Sequence, residues 1–195
     1  MPPKFPVTKN LQKTGAEKKA MLRFIGIFLG LVFAFYALTL SPWVDAKILF
    51  PVMKTSARGT SALINLVGVK TITEGVVIRG SNYAVAVRRG CDPLEPIVFF
   101  AAGLVAFPAA WRQRFIGLIV GGTFLFFLNL VRIATLYLLG ANHSSLLESF
   151  HLWWWPAGFI VCALALWVLW LLWIRRLATQ SKSDAPGKPL PDSGT

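Results

Sequence analysis

Long apolar runs separated by short polar breaks organise this chain. A helix crosses the hydrocarbon core of a bilayer with about 20 mainly apolar residues. Four runs have that character: Met21–Leu40, Pro93–Ala110, Phe115–Gly140 and Leu152–Trp173. The second is the shortest and carries Glu95 near one end, and the third holds Asn129 and Arg132 in its second half. Ile48–Val69 is half apolar but interrupted by Pro51, Lys54 and Arg58. It reads as an amphipathic helix lying on the outer membrane face. Were it to span instead, every later segment would reverse. Between Thr71 and Val87 the period shortens, with Val76-Val77-Ile78 and Tyr83-Ala84-Val85-Ala86-Val87 flanking the turn signal Gly80-Ser81-Asn82. That pattern predicts a short β-hairpin. The fold class expected is an all-α integral membrane protein of about four transmembrane helices, whose outer loop carries an amphipathic segment and a short β-hairpin.

Composition agrees with that class. The chain is 55% hydrophobic, with eight Trp and fifteen Phe, and its mean hydropathy is +0.61. Only 14% of residues are charged, yet the net charge is +12. Basic residues that punctuate apolar runs belong to membrane proteins, whereas nucleic-acid binders gather them on a folded polar surface. No nucleic-acid partner is expected, and the lipid bilayer is.

Lys and Arg set the orientation. Lys4, Lys9, Lys13, Lys18, Lys19 and Arg23 put the N-terminus in the cytoplasm, so Arg112 and Arg114 and the tail from Arg175 also lie inside. The outer loop keeps seven basic residues, a length of chain on which the charge rule acts weakly. The chain divides into a basic cytoplasmic segment 1–20, a membrane-embedded domain 21–176 and a tail 177–195. The tail, rich in Ser, Pro, Gly, Asp and Lys, is expected to be disordered and cytoplasmic. The first run exceeds a signal-peptide core and no small-residue cleavage pattern follows it, so it reads as an uncleaved anchor.

Small and aromatic residues mark packing. Gly26/Gly30 and Gly117/Gly121 are four apart, a spacing suited to close helix contact. Trp153, Trp154 and Trp155 at one end of the last run, and Trp170 and Trp173 at the other, read as interfacial belts.

Three polar residues remain. Cys91 opens Cys91-Asp92-Pro93-Leu94-Glu95-Pro96, in which Asp92 suits an N-cap, Pro93 the first helical position and Glu95 a capping box. The helix dipole and Arg88 and Arg89 favour negative charge there, while Asp92 and Glu95 oppose it. Cys91 is therefore either a reactive thiol or a small interfacial hydrophobe. Cys162, among Val161, Ala163 and Leu164, reads as packing. Arg132 lies about eight residues before the outer end of its run, roughly 12 Å deep, with Asn129 one turn earlier on the same face. A charge in hydrocarbon costs at least ~2.5–3.5 kcal/mol, so it faces a partner or a wet cavity. Ion pairing with Glu95 or Glu148, or snorkelling outward, is the competing use. His151 begins the last run on the outer side, and His143 in the preceding polar loop is its competitor. Thiol, imidazole and guanidinium are parts for acyl transfer: nucleophile, proton carrier and oxyanion stabiliser. Two histidines and two cysteines make a weak metal set, and no metal or other cofactor is expected.

A cysteine opening a span, then Asn129-Leu130-Val131-Arg132-Ile133, then Phe150-His151 at the start of a further span, resembles the exosortase/archaeosortase family. The short chain and Gly90-Cys91-Asp92 look most like the short exosortase H type. The resemblance covers roughly residues 85–160. It implies a transpeptidase of the bacterial inner membrane acting on exported proteins with a C-terminal sorting signal, comprising a short motif, a transmembrane helix and a basic end. It further implies Cys91 as nucleophile, Arg132 as oxyanion stabiliser and His151 as acid/base, at the periplasmic face. Asn129, Asp92 and Glu95 are the substrate-binding residues expected beside them. Pro93 departs from the small residue that family members often carry after the cysteine. A noncatalytic protein assisting assembly or export of envelope polymers, or a small transporter subunit, is the alternative.

Overall fold

The computed structural model describes residues 7–183. Helix α1, Val7–Thr39, is followed by a short α2, Pro42–Val44, a π-helical turn, Asp45–Leu49, and α3, Phe50–Leu66. Strands β1 (Ile72–Glu74), β2 (Val77–Arg79) and β3 (Ala84–Ala86) come next. The chain then forms α4 (Leu94–Ala106), α5 (Trp111–Ala141), α6 (Leu146–Ser149), a second π-helical turn (Phe150–Trp154) and α7 (Trp155–Ser183). The expected fold class holds: a mostly helical membrane protein with a small sheet.

Among the described residues, three helical stretches are long and apolar enough to cross a membrane: Glu17–Thr39, Trp111–Ala141 and Leu146–Gln180. The run expected as the second span is shorter. Helix α4 has 13 residues, about 20 Å at 1.5 Å per residue. Pro108 is the reason, since the residue before a proline is driven out of the α region; Phe107 is extended at φ −79°, ψ 137°. Many apolar residues of the long helices stay exposed, Phe33 and Leu164 among them. Lipid is the solvent that accommodates them. The helix α7 runs on to Ser183, so the first seven residues of the segment expected as a disordered tail continue it; the rest of that segment lies outside the described residues.

Two hydrophobic clusters hold the fold. One joins Leu49, Met53, Ala57 and Ile64 of the α2–α3 region to Ile78, Val87, Ile133 and Tyr137. The other joins Phe100, Leu104, Leu125, Phe159 and Trp170 from α4, α5 and α7. Helix α1 lies along α4, with Phe28 against Phe99 and Phe24 against Trp167. Gly117 and Gly121 do mark close contact: a Cβ on either would strike Trp170 or Phe100. Gly26 and Gly30 do not, for a Cβ there would meet nothing within 4 Å. Trp170 is 5% exposed and donates to the carbonyl of Gln113 at 3.0 Å, so it packs helices rather than belting the membrane.

The hairpin expected around Gly80-Ser81-Asn82 is one half of a three-stranded antiparallel meander, with Ile78 paired to Val85 and Thr73 to Ile78. Strand β1 was not expected. It is anchored by α3, where Asn65 accepts from the Thr71 backbone N–H at 2.7 Å and Ser61 bonds the Thr71 hydroxyl at 2.8 Å. The far end of the sheet rests on α5: the Tyr137 hydroxyl donates to the carbonyl of Tyr83, and Gly140 leaves room for the Tyr83 ring. Helix α3 packs directly on α5, where Gly59 meets Leu130, and its face of Ser56, Ala57, Thr60 and Ile64 is buried.

Candidate active site

The chain leaves the sheet through Arg88 and Arg89 and makes a tight turn into α4. Cys91 donates its N–H to the carbonyl of Arg88 at 2.9 Å, and Gly90 adopts φ +81°, a conformation that favours glycine. Asp92 fixes the turn. One carboxylate oxygen accepts from the Leu94 N–H at 2.9 Å and the other from the Gly90 N–H at 3.3 Å. The helix begins one residue later than expected, with Pro93 rather than Asp92 at the cap and no side-chain cap, so Asp92 closes the preceding turn instead and Glu95 completes no capping box. Asp92 is 3% exposed with both oxygens engaged, leaving little of it open to a substrate.

Helix α5 holds the same turn from the side. Asn129 Nδ2 donates to the carbonyl of Cys91 at 3.1 Å, and one turn later an Arg132 NH group donates to the carbonyl of Gly90 at 3.3 Å. The Arg132 guanidinium also sits 5.7 Å from the centre of the Phe159 ring, a cation–π distance. Arg132 is 9% exposed and takes part in no ion pair among the described residues, so neither pairing with Glu95 or Glu148 nor snorkelling describes it. Its Nε and the Asn129 side-chain oxygen are buried without a partner.

Beside the turn lies a groove of about 290 Å³ between α4, α5 and α7. Gly90, Glu95 and Arg132 give it a polar end; Phe99, Phe159, Ile160 and Ala163 give it apolar walls. The Cys91 side chain is half-buried and packs toward the cluster that contains Ile133 and Tyr137. Asp45 is paired with Arg89 at 2.7 Å, tying the first π-helical turn to the approach to Cys91.

His151 stands elsewhere. It is exposed on the second π-helical turn and lines a separate open pocket with Ser144, Ser145 and Glu148. The wall of the groove begins five residues later at Pro156. His143 lies in the preceding loop at φ +51°. Cys91, Asp92, Asn129 and Arg132 are thus brought together, Glu95 shares the groove with Arg132, and His151 is not brought to them but lines a pocket that shares no residue with the groove. Phe159, which stacks on Arg132, was not expected; its only sequence signal is an apolar position one turn after Pro156. Among the described residues no three metal-ligating side chains gather.

A family model described as transmembrane exosortase (Exosortase_EpsH) matches residues 20–180. The chain belongs to the exosortase family. The match takes in all the site residues above and reaches well beyond the stretch on which the resemblance first rested. Neither a curated protein nor a solved structure matches the chain significantly. As an exosortase with several membrane-crossing helices, the protein is a multi-pass membrane protein of a transpeptidase-like family.

Proposed function

We propose that this exosortase is a cysteine transpeptidase that cleaves the C-terminal sorting signals of exported proteins at the outer face of the inner membrane. One observation carries the reading: Asn129 and Arg132, one turn apart on α5, grip the carbonyls of Cys91 and Gly90 at the mouth of a groove between helices. That arrangement fixes the backbone of Cys91 beside a guanidinium that lines an apolar trough, while the thiol itself packs against the Ile133 and Tyr137 cluster.

The reaction is acyl transfer. The Cys91 thiolate adds to the scissile carbonyl, and the oxygen takes up the electron pair beside Arg132, which stabilises it. The C–N bond then breaks, His151 protonates the departing amine, and a thioester on Cys91 remains. Water or an incoming amine, deprotonated by His151, attacks the thioester and releases the thiolate. Glu95 lines the same groove as Arg132 and contacts the substrate there. Asp92 and Asn129, both buried, position the turn. The position of His151 on a π-helical turn supports its part, because such turns recur at functional sites and shift the facing of the residues they carry.

Depth supports an interfacial reaction. Arg114 binds the carbonyl of Phe107 at the opposite end of α4, and 18 residues of α5 separate it from Arg132, about 27 Å of rise. That nearly matches the ~30 Å hydrocarbon thickness. With Arg112 and Arg114 at the cytoplasmic edge, Arg132 lies near the outer edge, and the last turns of α5 project beyond it to carry the sheet.

The test is co-expression with a full-length substrate bearing a sorting signal. Cys91→Ala should abolish cleavage while the protein still accumulates in the membrane, and Cys91→Ser should leave at most a trace. Normal processing by Cys91→Ala would sink the reading in favour of a noncatalytic role in assembly or export.

A further inference from the structure

A second groove lies at the other end of the helices, away from Cys91. It encloses about 370 Å³ between α4, α5 and α7, within the range of ligand pockets. Its lining is apolar: Phe100, Ile116, Val120, Leu169, Trp170 and Trp173, over the backbone of Gly117 and Gly121. Ile116, Val120 and Leu169 are well exposed, so it opens sideways toward lipid.

What continues the groove decides its occupant. On α5 the lining positions step back by four from Val120 to Ile116, and the next position on that stripe is Arg112. On α7 they step forward from Leu166 through Leu169 and Trp173, and the next is Arg176. The two helices run antiparallel, because Trp170 reaches the carbonyl of Gln113 near the start of α5 while Phe159, earlier on α7, lies against Arg132, later on α5. Both arginines therefore stand at the same end of the trough, and both are exposed. An apolar trough that ends in two exposed guanidiniums has the chemistry of one acyl chain joined to an anionic headgroup. We propose that this groove is a binding site for an anionic phospholipid, with an acyl chain along Ile116, Val120 and Leu169 and the phosphate between Arg112 and Arg176. The site holds whichever way the chain is oriented and whether or not Cys91 is catalytic.

The probes are dioleoylphosphatidylglycerol and dioleoylphosphatidylcholine, titrated onto the detergent-solubilised full chain and read by native mass spectrometry. One phosphatidylglycerol should be retained per chain in preference to phosphatidylcholine. Arg112→Gln/Arg176→Gln should weaken that retention by about thirtyfold, from about 1 kcal/mol for each basic residue near a membrane surface at 1.4 kcal/mol per tenfold. Arg23→Gln/Arg175→Gln removes the same charge off the stripe and should leave it unchanged. Val120→Trp fills the trough at an exposed position and should reduce retention of both lipids, with circular dichroism verifying the helical content of each variant. Equal retention of the two lipids, equal loss in both arginine pairs, or release of a second copy of the chain rather than lipid by Val120→Trp would each overturn the proposal.

Discussion

Arg132 donates a hydrogen bond to the carbonyl of Gly90, the residue immediately before Cys91, at 3.3 Å. The bond ties a charge on α5 to the backbone that carries the thiol, so the two cannot drift apart independently. It also gives Arg132 two separable duties. As a fixed donor it holds the turn, and in the acyl transfer proposed above it is also the cation that meets the developing negative charge.

Those duties separate by substitution. Arg132→Lys keeps the charge but loses the planar fork, and should lower the cleavage rate by about 10²- to 10³-fold, the usual cost of an oxyanion donor. Arg132→Gln should be no more active, and by giving up the cation against Phe159 should also lower the thermal midpoint. Cleavage followed in membranes, alongside detergent-solubilised melting curves, checks both. Full activity in Arg132→Lys would mean that only its charge matters.

Asn129 should behave differently. Asn129→Ala removes the donor to the Cys91 carbonyl and leaves that carbonyl unpaired in a part-buried setting, at the low end of about 1–3 kcal/mol. The loss should show first as a lower melting midpoint, with cleavage reduced less than in Arg132→Lys. A variant with unchanged stability but no activity would move Asn129 from holding the turn to contacting the substrate.

Gly90 provides a backbone test of the same turn. Its φ is +81°, and a Cβ there would meet nothing within 4 Å, so any cost of Gly90→Ala is conformational rather than steric. That cost is about 1–2 kcal/mol. Gly90→Asn, better tolerated in left-handed backbone, should recover part of the stability. Both variants should slow cleavage, because the carbonyl that Arg132 grips belongs to this residue. Melting midpoints ordered Gly, Asn, Ala would bear this out, and equal midpoints would not.

Much of this arrangement was legible in the chain. The three long spans follow from apolar run length alone, and the start of α4 follows from Asp92-Pro93 to within one residue. The shortness of α4 was also written there, in Phe107-Pro108, since proline drives its predecessor out of the helix. Contacts between distant residues were not legible. Arg132 reaches a carbonyl 42 residues away, and Trp170 a carbonyl 57 away, and no local period encodes either. The same limit separates the two glycine pairs. Both have identical spacing, yet one is covered by aromatic rings, and a Cβ on the other would meet nothing within 4 Å among the described residues.

That contrast predicts a stability difference. Gly121→Ala drives a methyl into Phe100 and should cost about 1–3 kcal/mol by overpacking. Gly26→Ala meets open space in a helix and should be neutral or stabilising by up to about 1 kcal/mol. Melting curves of the two purified variants give the comparison directly. Equal destabilisation would show that α1 packs against something beyond α4 and Trp167 of α7.

Orientation can be read by thiol labelling, because the site and the arginine-rich ends of α5 and α7 lie at opposite ends of the helices. In Cys162→Ala, the remaining Cys91 is half-buried beside exposed Arg88, Arg89 and Gly90. An impermeant maleimide added to spheroplasts should modify it slowly without lysis. Ser81→Cys, in the exposed loop between β2 and β3, should label quickly from the same side in a Cys91→Ala/Cys162→Ala background. Arg112→Cys in that background, at the far end of α5, should label only after lysis. If Ser81→Cys and Cys91 both require lysis while Arg112→Cys does not, the chain is inverted and a substrate delivered to the outer face never meets the thiol. If Ser81→Cys labels and Cys91 stays silent in both conditions, the orientation stands, and the thiol becomes accessible only when a substrate opens the packing around Ile133 and Tyr137.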